Sequence, residues 1–163
     1  MPRSLILMRH GKSAYPLGVI DHDRPLAARG ERQAALAGEW LRAHQPPIDA
    51  VLCSTAARTR ETLAATGIDT KVSFEPSIYE AGIEQLIELI RLTDDSVQTL
   101  LVVGHAPGIP WTAWELAANR DSPHADALSA KFPTSAMAVL AVDDSWSGLG
   151  TGLAELVDFH IPR

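Results

Sequence analysis

Four short segments of the chain carry residue types that can together handle a phosphoryl group. Arg9-His10-Gly11 ends one apolar run, and Ser54-Thr55-Ala56-Ala57-Arg58 ends a second. Tyr79-Glu80 comes a few residues after a third run, and Gly104-His105-Ala106 closes a fourth. Arginine's planar fork matches phosphate oxygens and keeps its charge at any working pH. A neutral histidine nitrogen can attack phosphorus and carry it as a covalent intermediate. A second histidine can donate to an equatorial oxygen, and a carboxylic acid can protonate a leaving group. If the arginines neutralise the phosphoryl oxygens, this chemistry needs no metal.

These segments are useful only if the fold brings them together. Residues 4–8 form an apolar run suited to a strand buried on both faces of a sheet. Residues 12–26 read as loop. Apolar spacing predicts a helix over Ala28–His44, stopped by Pro46-Pro47. Asp49–Cys53 reads as a second buried strand. Ser54 or Thr55 is then expected as the N-cap of a helix running to Thr66, with Gly67 as its stop. Lys71–Phe74 is a short strand and Glu84–Leu92 a helix. Thr99–Val103 is the clearest buried strand, and a helix is expected from Pro107-Gly108 to about Ala118. Residues 119–135 read as polar and irregular. Ala136–Val142 and Leu153–Phe159 are the fifth and sixth strand candidates. Strands alternating with helices imply an α/β fold, its mainly parallel sheet covered on both faces. The carboxyl ends of parallel strands lie on one edge of a sheet, where ligands bind in open α/β folds. All four segments sit at or soon after such ends.

Composition narrows the classes further. A chain of 163 residues suits one domain, with 46% hydrophobic and 21% charged residues. The net charge of −6 argues against a nucleic-acid or anionic-membrane surface. One cysteine, Cys53, excludes an intramolecular disulfide and a cysteine-based metal site. No apolar run approaches the roughly 20 residues of a membrane span, and none resembles a signal peptide. The expectation is a cytoplasmic protein with no cofactor.

The opening Leu5-Ile6-Leu7-Met8-Arg9-His10-Gly11-Lys12-Ser13 resembles the signature of the histidine phosphatase superfamily, also called phosphoglycerate mutase-like. Asp23-Arg24-Pro25-Leu26, Arg29-Gly30, Ser54-x-x-x-Arg58-Thr-x-Glu-Thr62, Tyr79-Glu80 and Val103-Gly104-His105 continue the match in order. The short chain and the Asp-Arg-Pro-Leu segment look most like the SixA branch of phosphohistidine phosphatases. The resemblance runs from about residue 4 to 112 and implies a three-layer α/β/α sandwich. It also implies that residues 1–163 form one histidine-phosphatase domain without a large cap insertion. By the same resemblance His10 is the phosphorylated nucleophile, and Arg9, Arg58 and His105 form the phosphate pocket. Glu80 stands where many members place the proton donor, and it is balanced against a loop charge or binding residue. Ser13 is a candidate hydroxyl donor to the substrate.

The implied activity is a metal-independent phosphatase acting on phosphohistidine of a protein through a phosphohistidine intermediate. The alternatives are a broad small-molecule phosphomonoesterase of the same mechanism and a non-catalytic module that binds phosphorylated ligands. A zinc hydrolase lacks its dense ligand set here. A mutase must exclude water, which is hard in an open site. Arg24 is divided between substrate and a salt bridge to a loop aspartate. His22, His44, His124 and His160 are read as non-catalytic, and Cys53 as a small core residue. The tryptophans at 40, 111, 114 and 146 are expected in the core or in helix packing, with Trp111 at the border of the site.

Overall fold

Successive residues of the first strand feed two different cores. In the computed structural model, which describes residues 1–163, β1 spans Arg3–Arg9. Leu5 and Leu7 point into one apolar cluster, and Ile6 and Met8 into the other. All four are fully buried. This is why the run is continuously apolar rather than alternating. β2 is Ala50–Ser54, β3 Lys71–Glu75, β4 Thr99–Gly104, β5 Met137–Val142 and β6 Glu155–His160. The sheet order is β3-β2-β4-β1-β5-β6. β1 to β4 are mutually parallel, and β5 runs antiparallel to both β1 and β6. The mainly parallel sheet expected from the alternation is the one observed.

Helices cover both faces. α1 (Ala28–His44) and α2 (Ala57–Thr66) supply Ala37, Leu41 and Leu63 to the core shared with Ile6 and Met8. α3 (Ile83–Arg91), α4 (Gly108–Leu116) and α5 (Pro123–Ala130) close the opposite face. The result is the three-layer arrangement implied by the resemblance.

Four expectations change. The segment 119–135 is not wholly irregular, because it contains α5. Ser122 caps that helix by accepting from the Ala125 N–H at 3.3 Å, and Pro123 follows at its start. Neither Ser54 nor Thr55 caps α2. Ala56 holds the N-cap position, because Ser54 still belongs to β2. α4 stops at Leu116, two residues short of the expected end, and Ala117 is already extended. Of the four tryptophans only Trp146 is fully buried; its indole N–H donates to the Val97 carbonyl. Trp40 is half-buried between the rings of His44 and His160, while Trp111 and Trp114 face outward from α4.

The α1–α2 contact depends on a missing side chain. A Cβ on Gly38 would lie 2.1 Å from the Thr66 carbonyl oxygen, at the end of α2. Arg42 Nη1 donates to that same carbonyl at 2.7 Å. Alanine in place of glycine would favour the helix by about 1 kcal/mol. Overpacking into backbone costs about 1–3 kcal/mol, and here the obstacle cannot rotate away. Gly38→Ala is therefore expected to lower the thermal midpoint measured by circular dichroism. An unchanged or raised midpoint would show that the two helices part freely.

Candidate active site

Parallel pairing of β1 with β4 matches Arg9 to Gly104. The His10 N–H donates to the Gly104 carbonyl at 3.0 Å, just beyond the paired segment. His10 and His105 thus leave adjacent strand ends, and their ring centroids lie 5.3 Å apart. The two histidines far apart in sequence are neighbours in space.

His10 is 8% exposed. Its Nδ1 lies 2.7 Å from the Gly11 carbonyl oxygen. A carbonyl can only accept, so Nδ1 carries the proton and Nε2 keeps its lone pair. Burial pushes the His10 pKa down to about 4. The Gly11 carbonyl opposes that shift, and the charges of Arg58, Arg9 and Arg24 add to it. His105 is lowered to about 3, first by burial and then by His10 and Arg58. Both rings are neutral at pH 7. Ser54 Oγ lies 2.8 Å from His105 Nε2, and His105 Nδ1 is buried with no partner. When the serine O–H donates to Nε2, the ring proton stands on Nδ1, free to meet an acceptor.

Arg58 sits in the first turn of α2, 6% exposed. Its Nη1 donates to the Asp21 backbone carbonyl at 2.7 Å and its Nη2 to the Asp21 carboxylate at 3.0 Å. Asp21 also accepts from Arg24 Nε at 3.0 Å and from the Tyr79 hydroxyl. The Tyr79 hydroxyl, followed by the two guanidiniums, holds the Asp21 carboxyl well below the usual carboxylate range. Arg24 thus makes the salt bridge to a loop aspartate, and its Nη1 also donates to Ser13 Oγ at 2.9 Å. Arg9 Nη1 donates to the Phe132 carbonyl at 3.0 Å, and its Nε is buried without a partner. Burial lowers the Arg9 pKa. Two guanidiniums therefore hold one carboxylate, and with Arg9 they set three positive charges near the neutral His10.

A cleft of about 360 Å³ opens beside this cluster, lined by Asp21, Arg58, Tyr79, Glu80, His105 and Trp111 among others. Glu80 is exposed, has no hydrogen-bond or ion-pair partner, and holds the left-handed backbone at φ 62°. A non-glycine residue is uncommon there. The loop that carries Ser13 and Asp21 is docked on α1 through Gly30, where a Cβ would lie 2.2 Å from the Lys12 carbonyl oxygen.

Of the residues expected from sequence, His10, His105, Arg9 and Arg58 converge. Glu80 borders the cleft, and Ser13 reaches the cluster only through Arg24. Asp21 was not expected, although an acidic residue three positions before Arg24 in a short loop is a legible sign of such a bridge. Tyr79, quoted only as part of a motif, helps fix Asp21. His22 lies beside the cluster, its Nε2 3.0 Å from Thr55 Oγ1. No group of three or more His, Cys, Asp or Glu residues is placed to hold a metal ion. No helix is long and apolar enough to cross a membrane.

Residues 5–89 match the family model described as the histidine phosphatase superfamily, branch 1. An uncharacterized protein of Mycobacterium tuberculosis is 53% identical over 158 residues, covering 96% of this chain and 100% of that protein. The phosphohistidine phosphatase SixA of Escherichia coli is 29% identical over 150 residues, 88% of each chain. A solved structure of a candidate phosphohistidine phosphatase SixA from Nakamurella multipartitia superposes with a TM-score of 0.92 at 42% identity. That likeness covers 99% of this chain and 97% of the other. A mainly parallel sheet with two histidines and an arginine at its carboxyl edge defines a phosphatase of this architecture. The chain belongs to the histidine phosphatase superfamily, and it is similar in structure to proteins of the SixA kind.

The neutrality of the histidines has a measurable sign. The His10 pKa of the folded protein lies below the ordinary value of 6.5. As pH falls from 6.5, the unfolded chain therefore takes up protons before the folded chain does. Stability contributed by the neutral ring is complete above pH 6.5 and is lost down to about pH 4. Between pH 7 and 5 the loss for this one ring is roughly 1–2 kcal/mol. Urea denaturation at the two pH values should show the loss, and His10→Asn should reduce it. A titration of the His10 ring near pH 6.5, seen by NMR, would contradict the burial argument.

Proposed function

We propose that the protein removes phosphoryl groups from phosphohistidine on a polypeptide, with His10 as nucleophile and no metal. The observation that carries this reading is the His10 ring. Its Nδ1 proton is held on the Gly11 carbonyl at 2.7 Å, so Nε2 is an unprotonated nucleophile set among cations. Residues 1–163 act as one catalytic unit whose site no inserted cap covers. An uncovered site suits a phosphate carried on a protein. The SixA-type relatives support the choice of phosphohistidine.

In the first step Nε2 of His10 attacks phosphorus, and the bond from phosphorus to the substrate imidazole breaks. That imidazole takes a proton from solvent on its far nitrogen and leaves neutral. The phosphorylated His10 ring becomes cationic, and the Gly11 carbonyl stabilises its Nδ1–H. Arg9, Arg58 and His105 donate to the equatorial phosphoryl oxygens, where charge concentrates in the transition state. Asp21 orients Arg58 for this. Water then attacks phosphorus, His10 leaves with its Nδ1 proton, and both water protons go out on inorganic phosphate. Ser13 supports the pocket through Arg24. The arginines supply the charge that a metal gives other phosphoryl-transfer enzymes.

Glu80, unpaired in the cleft, favours a second reading as a phosphomonoesterase, because an alkoxide leaving group needs a proton donor. One panel separates the two. Phosphohistidine peptide, phosphoserine peptide, a sugar phosphate and p-nitrophenyl phosphate are compared after exhaustive chelation, with wild type and Glu80→Gln. The expected result is retained activity with phosphohistidine preferred, and little effect of Glu80→Gln on that substrate. A loss of roughly 10²–10⁴-fold on the alkyl phosphates alone would mark Glu80 as a general acid. Preference for sugar phosphates would favour the esterase reading. Inactivation by chelation, reversed by zinc or magnesium, would overturn metal independence.

A further inference from the structure

Two segments next to the site carry exposed apolar side chains that the phosphoryl chemistry does not use. Tyr15, Leu17, Val19 and Ile20 are 73%, 100%, 38% and 68% exposed. They fill the segment between Ser13 and Asp21, so this strip ends on the carboxylate that holds Arg58. On α4, Trp111 and Trp114 are 57% and 36% exposed. Trp111 lines the cleft, and Trp114 borders a second cavity of about 460 Å³ that reaches Phe132. The two cavities share Ala106, Pro107 and Trp111 in their walls, so they are neighbours.

The two apolar lips come from opposite faces of the sheet. The 14–20 strip is tied to the α1–α2 face: the Ala14 N–H donates to the Pro25 carbonyl at 2.9 Å and the Leu26 N–H to Glu61 at 3.1 Å. α4 packs into the other core. The site therefore has on one side a loop that carries Leu17 and leads into Asp21, and on the other a helix whose Trp111 lines the cleft.

Large exposed apolar side chains grouped on two segments beside a site suit contact with a partner. Neither Leu17 nor Trp114 lines the cleft beside Arg58 and His105. A small ester in that cleft can touch Trp111 but leaves Leu17 and Trp114 wet. Only the body that carries the phosphate can cover them while its phosphoryl group sits beside His10 and His105. We propose that the 14–20 strip and the Trp111–Trp114 face together dock a polypeptide substrate whose phosphorylated residue has apolar side chains on both sides. This inference rests on the phosphatase reading of the site and names the class of substrate it selects. Selectivity comes from the flanking side chains, because the phosphate pocket is the same for every ester.

The test uses two peptides with a central phosphohistidine, one flanked on both sides by leucines and the other by serines. Burying apolar side chains of this size is worth about tenfold or more in affinity. The leucine-flanked peptide should show a kcat/KM at least about tenfold higher, with the gain in KM. Leu17→Ser and Trp114→Gln should each erase much of that gain. Both should leave p-nitrophenyl phosphate hydrolysis within about twofold of wild type. Leu17 is fully exposed, so its replacement does not threaten the fold. Each peptide is also measured as a competitive inhibitor of p-nitrophenyl phosphate hydrolysis. Stronger inhibition by the leucine-flanked peptide without turnover would support the docking surface and reject phosphohistidine as the phosphoryl donor. Equal kinetics and equal inhibition by the two peptides would overturn the proposal. So would variants that lose p-nitrophenyl phosphate activity as much as peptide activity.

Discussion

The pairing of β1 with β4 is the constraint on which the site depends. Matching Arg9 to Gly104 sends His10 and His105 out of the sheet side by side. A shift of one residue would turn Leu5, Leu7, Ile6 and Met8 toward the wrong cores. The two apolar clusters therefore fix the register, and the register fixes the distance between the histidines. Catalytic geometry here is a consequence of core packing two to five residues upstream of His10. β2 pairs with the other side of β4, which brings Ser54 within hydrogen-bond distance of His105.

Electrostatics then determines what this geometry can do. Three guanidiniums and two imidazoles in one place would repel each other if all were charged. Burial and the arginines together keep both rings neutral, so the positive charge is carried only by the arginines. That division suits a nucleophile that must keep its lone pair beside groups that attract phosphate. Asp21 offsets part of the repulsion by bridging Arg58, Arg24 and Tyr79. Its carboxylate is half-exposed, so the bridge orients Arg58 more than it stabilises the fold.

Much of this was legible from residue patterns. Continuous apolar runs marked β1, β2 and β4, because strands buried on both faces have no polar alternation. Each ended on a chemically distinctive segment, so His10, Arg58 and His105 could be named before any geometry. The remainder depended on contacts that sequence spacing does not encode. Asp21 joins the site through a short 3₁₀ turn in a loop without periodicity. α5 is only eight residues long and buries little more than Ala125 and Leu128, so its periodic signal is weak. Trp111 and Trp114 have the composition of a core, but they stand on the face of α4 opposite the buried Ile109, Ala113 and Leu116.

The central claim is that neutral His10 becomes covalently phosphorylated during turnover. The direct measurement is to mix the enzyme rapidly with substrate labelled in its phosphoryl group, quench at alkaline pH, and locate the label by mass spectrometry. The account predicts acid-labile, base-stable label on His10 that appears before phosphate is released and disappears as substrate is exhausted. Label on another residue, or full activity in His10→Ala with no trapped adduct, would contradict it.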